Sequence, residues 1–168
     1  MHMTSPPSVI SPDFGALIGY RIEPTEPDAA VLETHAAPSS QGSPDFAALV
    51  GYRIETPKAG IAVLELPLQA HHRNRLGTVH GGVIMTMLDA AGMWACSQSG
   101  EPPGCPTVSL SCSFLQAVTP ADHSILRARA ELVRKGRRTY FVNIEALAGE
   151  EVVATAQGVY AVRQTLPK

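Results

Sequence analysis

Asp89 is the one formally charged residue between His80 and Glu101. Its neighbours are Met, Leu, Ala and Trp, so a helix carrying it buries a carboxylate among apolar groups. Such burial is unfavourable or drives the carboxyl pKa upward. That environment suits a general base or a nucleophile. The plainer alternative is a carboxylate that caps a loop or pairs with a base across a subunit contact. His80-Gly81-Gly82 opens the same helix. Two glycines let a ligand approach the backbone, and the first helical N–H groups lack intrahelical partners and carry the positive end of the dipole. Such a turn can hold an oxyanion or polarise a carbonyl, although a glycine pair before a helix is often only a tight turn. His80 and Asp89 are nine residues apart. That is about 900° of helical rotation, which puts them on opposite sides of the helix. They cannot form a dyad within one chain: either they are unrelated, or each serves a site made between two subunits.

Other chemistry is thinner. His71, His72 and His80 match no zinc spacing, and no Cys, Asp or Glu stands in the 69–80 loop, so no metal is expected. His71 and His72 read as solvent-exposed loop residues. Arg134-Lys135-Gly136-Arg137-Arg138 is a basic turn in a chain of net charge −2. A solvated hairpin tip accounts for it. So does a clamp for a phosphate-rich small molecule, to which Arg73 and Arg75 can add. Four charges in one turn are too few for a nucleic-acid stripe, and a pI near 6.3 points the same way. No P-loop or dinucleotide-binding glycine pattern is present.

The elements that must position these residues follow from composition and period. The chain has 168 residues, 45% apolar and 17% charged, which is enough for one domain with a core plus a short extra segment. Cys96, Cys105 and Cys112 form no CxxC pair and are odd in number, so a disulfide framework is not expected and a reducing compartment is. MHMTSPPSVI has no basic segment followed by an apolar one. The longest apolar stretch, Val83 to Cys96, is interrupted by Thr86 and Asp89 and is too short to span a bilayer. A cytoplasmic protein with no membrane partner is the expectation.

Residues 11–33 and 43–65 repeat at an offset of 32, with 15 of 23 positions identical. Two copies do not make a solenoid, so the repeat is a local duplication of one helix–strand unit. The second copy runs straight into the strand GIAVLELPL (60–68). The first has Pro24 and Pro27 where a strand should continue, then the linker HAAPSSQGSP. The domain is therefore assigned to 43–168, with 1–42 as an appendage, a surface-docked helix or a disordered arm.

Within the domain, Ser43-Pro44-Asp45 opens a short helix. Strand signals lie at 52–56 and 60–68, a polar loop at 69–79, and a long helical stretch at 81–98. Alternation then marks strands at 107–118, 124–133, 138–148 and 151–163. Val108, Leu110, Cys112 and Phe114 share one face of the first of these. Short turns at 120–122, 135–136 and 149–150 predict an antiparallel meander. The long helix is apolar or small all the way round, so it must be covered on every side. One curled sheet can do that. The expected class is α+β, an antiparallel five- to six-stranded sheet wrapped around a central long helix, the hot-dog architecture.

The run from Asn74 through Leu76-Gly77-Thr78-Val79 to His80-Gly81-Gly82, Asp89 and Ala95 resembles the signature of PaaI-like hot-dog acyl-CoA thioesterases, of the phenylacetic acid degradation and 4-hydroxybenzoyl-CoA thioesterase type. The family pattern is an Asn, His-Gly-Gly six residues on, an acid nine residues after that His, and a Ser or Thr opening the next strand. Here these are Asn74, His80, Asp89 and Thr107, within a resemblance that covers roughly 43–165. The resemblance implies that Asp89 is the catalytic carboxylate, as general base or nucleophile, and that the Gly81 N–H polarises the thioester carbonyl. It implies that Asn74 positions water or the thioester oxygen, that His80 orients the loop, and that Thr107 orients water or Asp89. It puts CoA phosphates near Arg134, Lys135, Arg137 and Arg138. It also implies a homodimer in which one subunit supplies the His-Gly-Gly turn and the other the acid, with homotetramers common. The expected reaction is hydrolysis of an aromatic or short-to-medium-chain acyl-CoA, CoA being part of the substrate and no separate cofactor being needed. A non-hydrolytic acyl-CoA-binding protein is the alternative. The repeat at 11–33 has no counterpart in the family.

Overall fold

A computed structural model of the chain describes residues 20–22, 32–34, 46–96 and 105–162. The elements are β1 (Tyr20–Ile22), β2 (Leu32–Thr34), α1 (Phe46–Val50), β3 (Arg53–Lys58), β4 (Ile61–Pro67), a 3-10 turn (Ala70–His72), α2 (Gly81–Ala95), β5 (Thr107–Phe114), β6 (Ile125–Lys135), β7 (Thr139–Ala148) and β8 (Glu151–Ala161). Strands β3 to β8 form one antiparallel six-stranded sheet in the order β3-β4-β6-β7-β8-β5, and α2 packs against it. This is the hot-dog arrangement.

The alternation read from the sequence produces the core. Along β6 the residues Leu126, Ala128 and Ala130 are buried, while Arg127, Arg129 and Glu131 face out. Ala62, Leu64 and Leu66 of β4, and Tyr140, Val142, Ile144, Ala146 and Ala148 of β7, do the same. From α2, Val83, Ile84, Met87, Leu88, Ala91 and Ala95 enter this core. The outward face is tied by ion pairs such as Arg127 Nε to Glu65 Oε1 at 2.6 Å, between β6 and β4. All three cysteines are free. Cys96 and Cys105 are buried, and the Cys96 thiol donates to the Gly92 carbonyl at 3.3 Å. Burial, with Cys105 nearby, pushes the Cys96 pKa up to about 12.

Three expectations need correction. First, the turn at 120–122 does not join neighbouring strands. β5 pairs with β8, Ser111 opposite Gln157 and Cys112 opposite Ala156, so the chain crosses the sheet to reach β6 and only β6-β7-β8 is a meander. Pairing here is decided by closure of the sheet around the helix. Second, β5 ends at Phe114 and α2 at Ala95, with Cys96 as its cap; residues 97 and 98 lie outside the described residues. Third, α2 is not covered on every side. Met85 is 41% exposed, and Gly82, Thr86, Asp89 and Met93 are only partly buried. Spacings of three and four make these one stripe along the helix. The sheet of a single chain wraps the other faces and leaves this one open.

In the first repeat copy Tyr20–Ile22 and Leu32–Thr34 pair as two antiparallel strands; the other residues of 1–42, on which the docked-helix and disordered-arm readings fall, lie outside the described residues. Pro24 and Pro27 fall between β1 and β2. Arg21 pairs with Glu33 and Ile22 with Leu32, which is the register of Arg53 with Glu65 and Ile54 with Leu64. The short helix expected after Ser43-Pro44-Asp45 is α1, from Phe46 to Val50, while residues 43–45 and the linker at 35–42 lie outside the described residues.

Candidate functional site

Residues 69–80 form a closed loop that sets the start of α2. An isolated bridge joins Arg73 to Val79, and the Asn74 N–H donates to the Thr78 carbonyl at 2.8 Å. The Asn74 side chain works inside this loop. Its Oδ1 accepts from the Leu76 N–H at 2.8 Å and the Thr78 N–H at 3.2 Å, and its Nδ2 donates to Thr78 Oγ1 at 2.9 Å.

His72 departs from the sequence expectation. It is 1% exposed rather than a solvent-facing loop residue. Its Nδ1 accepts from the Gln69 N–H, and its Nε2 bonds the Val50 carbonyl at the end of α1, both at 3.0 Å. Its own carbonyl accepts the His80 N–H at 2.8 Å. Burial, aided by the neighbouring His71, holds the His72 pKa below its ordinary value, partly opposed by the bond to Val50. The adjacent His71 has the same residue type, so nothing in composition tells the two apart.

At the helix start, the His80, Gly81, Gly82 and Val83 N–H groups are the four without i−4 partners, and they can be followed one by one, that of His80 going to the His72 carbonyl. Gly82 N–H is taken by His80 Nδ1 at 2.9 Å. Val83 and Ile84 N–H groups both bond the His80 carbonyl, at 2.9 and 3.3 Å. Gly81 N–H is the one left over, at the positive end of the helix dipole. An apolar cavity of about 320 Å³ lies beside it, lined by Val79, Gly81, Ile84, Phe114, Leu115 and Val118. The Phe114 ring edge covers Gly81: a Cβ there would sit 3.4 Å from it.

Two turns further along, Asp89 occupies the open stripe. Thr107 Oγ1, the first residue of β5, donates to Asp89 Oδ1 at 2.9 Å. The hydroxyl of Tyr160 on β8 donates to the Asp89 carbonyl at 3.1 Å and lies 3.4 Å from Oδ1. The sequence marks Tyr160 only as a strand residue. Its burial in a tight pocket beside a carboxylate pushes the phenol pKa well above its ordinary range.

The structure therefore brings Asp89 and Thr107 together, and His80 and Gly81 together. It does not join the two groups: eight residues of helix separate Gly81 from Asp89, about 12 Å along the axis. The basic residues sit at the Asp89 end. Arg134 and Lys135 end β6 and pair with Phe141 and Tyr140, and Tyr140 pairs with Tyr160. Arg134, Lys135, Arg137 and Arg138 are all exposed, and Lys135 Nζ lies 5.7 Å from the Tyr140 ring centre. Among the described residues, no three His, Cys, Asp or Glu side chains converge as a metal ligand set, and no helix is long and apolar enough to cross a membrane.

The chain is similar to known proteins. The family model described as the Thioesterase superfamily matches residues 76–155, which include His80, Gly81, Asp89 and Thr107. PA0474 of Pseudomonas aeruginosa, an esterase by assignment, is 32% identical over 96 residues, covering 56% of this chain and 70% of its own length. The solved structure of the conserved protein PA5202 from the same organism superposes with a TM-score of 0.64 at 31% identity, over 71% of this chain and 94% of that one. A phenylacetic acid degradation-related protein of Ralstonia eutropha JMP134, assigned as a thioesterase, superposes at 0.62 with 28% identity, over 73% of this chain and 92% of that one. On fold, motif and likeness together, the chain belongs to the thioesterase superfamily, the thioester hydrolases built on the hot-dog fold.

Proposed function

We propose that the protein is an acyl-CoA thioesterase that works as a homodimer, hydrolysing an aromatic or short-to-medium-chain acyl-CoA to the free acid and CoA. The observation that carries this is the division of the site between the two ends of β5. Asp89 and Thr107 stand at its start, and Gly81 under Phe114 at its finish. β5 is a sheet edge, with Val108 61% and Phe114 51% exposed. A second β5 paired antiparallel about a twofold axis sets the Thr107 end of one strand against the Phe114 end of the other. Gly81 of one protomer then faces Asp89 of its partner, and the open stripe of α2 is covered.

In such a site the thioester carbonyl oxygen accepts from Gly81 N–H, which stabilises the oxyanion as it develops. Asp89 either takes a proton from an attacking water, or adds to the carbonyl carbon itself to give a mixed anhydride that water then hydrolyses to the free acid; in both, the carbon–sulfur bond breaks to release thiolate. The apolar cavity beside Gly81 takes the acyl group. The exposed cations after β6 suit the phosphates of CoA. Asn74 supports this at one remove, by closing the loop that sets the helix start.

The test is CoA release from phenylacetyl-, 4-hydroxybenzoyl-, hexanoyl- and palmitoyl-CoA by wild type and Asp89→Asn. The expected result is turnover on at least one member that falls about 10³-fold or more in the variant, with fold and size retained. Saturable acyl-CoA binding with no turnover on any member would replace this reading with a non-hydrolytic binding protein.

A further inference from the structure

Tyr160 is fully buried, yet its hydroxyl reaches a polar group on the open stripe of α2. That reach depends on two missing side chains. A Cβ on Gly92 would collide with the Tyr160 hydroxyl, and a Cβ on Gly158 would lie 2.5 Å from its ring. Glycine weakens both a helix interior and a strand interior. Two glycines on two elements open one slot for one phenol.

Packing alone does not call for that phenol. Phenylalanine would fill the same ring volume, and a buried hydroxyl is unfavourable unless it finds a partner. Here the partners are both on Asp89: its carbonyl at 3.1 Å and its Oδ1 at 3.4 Å. Thr107 Oγ1 bonds that same Oδ1. Two hydroxyls from two strands thus converge on one carboxylate oxygen, and Oδ2 has no partner among the described residues.

We propose that Tyr160 is a positioning residue for hydrolysis: with Thr107 it pins Asp89 Oδ1 and the adjoining backbone, so that Oδ2 is the oxygen presented to the reacting atoms. This rests on the reading of Asp89 as the reacting acid. A carboxylate on a helix surface otherwise turns freely about its last torsion. Fixing it keeps the oxygen within reach of water or the thioester carbon, and small misplacements there are expensive in rate.

The experiment is Tyr160→Phe beside Thr107→Val, Thr107→Ser and Asp89→Asn, each as the full chain, followed by steady-state CoA release. For Tyr160→Phe, kcat is expected to fall about 5- to 20-fold with KM nearly unchanged, as for loss of one hydrogen bond that matters in the transition state. Thr107→Ser should keep most of the rate that Thr107→Val loses, and the double Tyr160→Phe, Thr107→Val variant should depart from additivity, since both grip one oxygen. A Tyr160→Phe enzyme with lowered melting temperature but unchanged kcat overturns the proposal and leaves Tyr160 as packing. If Asp89→Asn stays active, the reading of Asp89 as the reacting acid fails instead, and the two failures are distinct.

Discussion

The two ends of α2 are built from different materials. At the Gly81 end the polar work is done by backbone: four N–H groups, of which His80 satisfies two and the His72 carbonyl a third, which leaves Gly81 without a partner among the described residues. Its surroundings are apolar, with Phe114 and Leu115 beside a cavity. At the Asp89 end the work is done by side chains, a carboxylate held by hydroxyls from β5 and β8, with exposed cations nearby. One end offers a dipole and room for a hydrocarbon. The other offers a charge and attraction for phosphates. A thioester of CoA needs both kinds, and no single chain brings them within bonding distance.

The largest expected effect comes from breaking one end in each of two chains. Gly81→Val drives methyl groups toward Phe114 and over the free N–H, and should lose about 10²-fold in kcat. Mixed and reassociated with Asp89→Asn, which is dead through the other end, it should recover about a quarter of wild-type activity, because half the dimers then hold one intact composite site. No recovery would put both ends in one chain's site or in separate ones.

Val108→Asp addresses the edge itself. On the isolated chain it is a surface change, within about 0.5 kcal/mol of neutral. In the proposed dimer it buries a carboxylate in the β5 contact. Light scattering should show monomers, and activity should fall about tenfold or more although the chain still melts cooperatively. If the Val108→Asp variant remains an active dimer, the interface lies elsewhere.

The basic turn separates the ends by substrate. Lys135→Glu with Arg137→Glu should raise KM for acyl-CoA about 3- to 10-fold and leave a thioester without phosphates unaffected. Equal effects on both substrates would make the turn a plain hairpin tip.

The smallest effect concerns what holds the Gly81 end in place. The buried His72 has a folded-state pKa below its ordinary value of 6.5, so below that pH the unfolded chain binds a proton that the folded chain refuses. Stability should therefore fall as pH drops from 7 toward 5. His72→Gln should flatten that slope in thermal melts while lowering stability at pH 7 by about 1–2 kcal/mol through lost bonds to Gln69 and Val50. An unchanged slope would mean that His72 is not what the acid limb reports.

Much of this is legible in the residues alone. Alternation along β6, β7 and β8 separates core from surface, because a sheet face packed on a helix forces period two. The nine-residue spacing of His80 and Asp89 places them on opposite helix faces. What stays hidden depends on contacts far apart in sequence. The pairing of β5 with β8 rather than β6 leaves no mark on a short turn. The open stripe of α2 looks apolar like the rest, since Met85 and Met93 suit a protein partner as well as a core. Tyr160 has the pattern of any buried strand residue; only the glycines opposite, 92 and 158, hint at a large ring, and glycine in a helix has many causes.

The buried cysteines carry a consequence of another kind. A thioester hydrolase releases a thiol at each turnover, and a thiol pool in air becomes a disulfide pool. Only a thiolate attacks a disulfide. Cys96, with its pKa pushed up to about 12 and its S–H turned onto Gly92, offers almost none, and Cys105 beside it is sealed in the same core. These two thiols are insulated from exchange with a disulfide in solution, whereas Cys112, only partly buried on β5, is not sealed in that core.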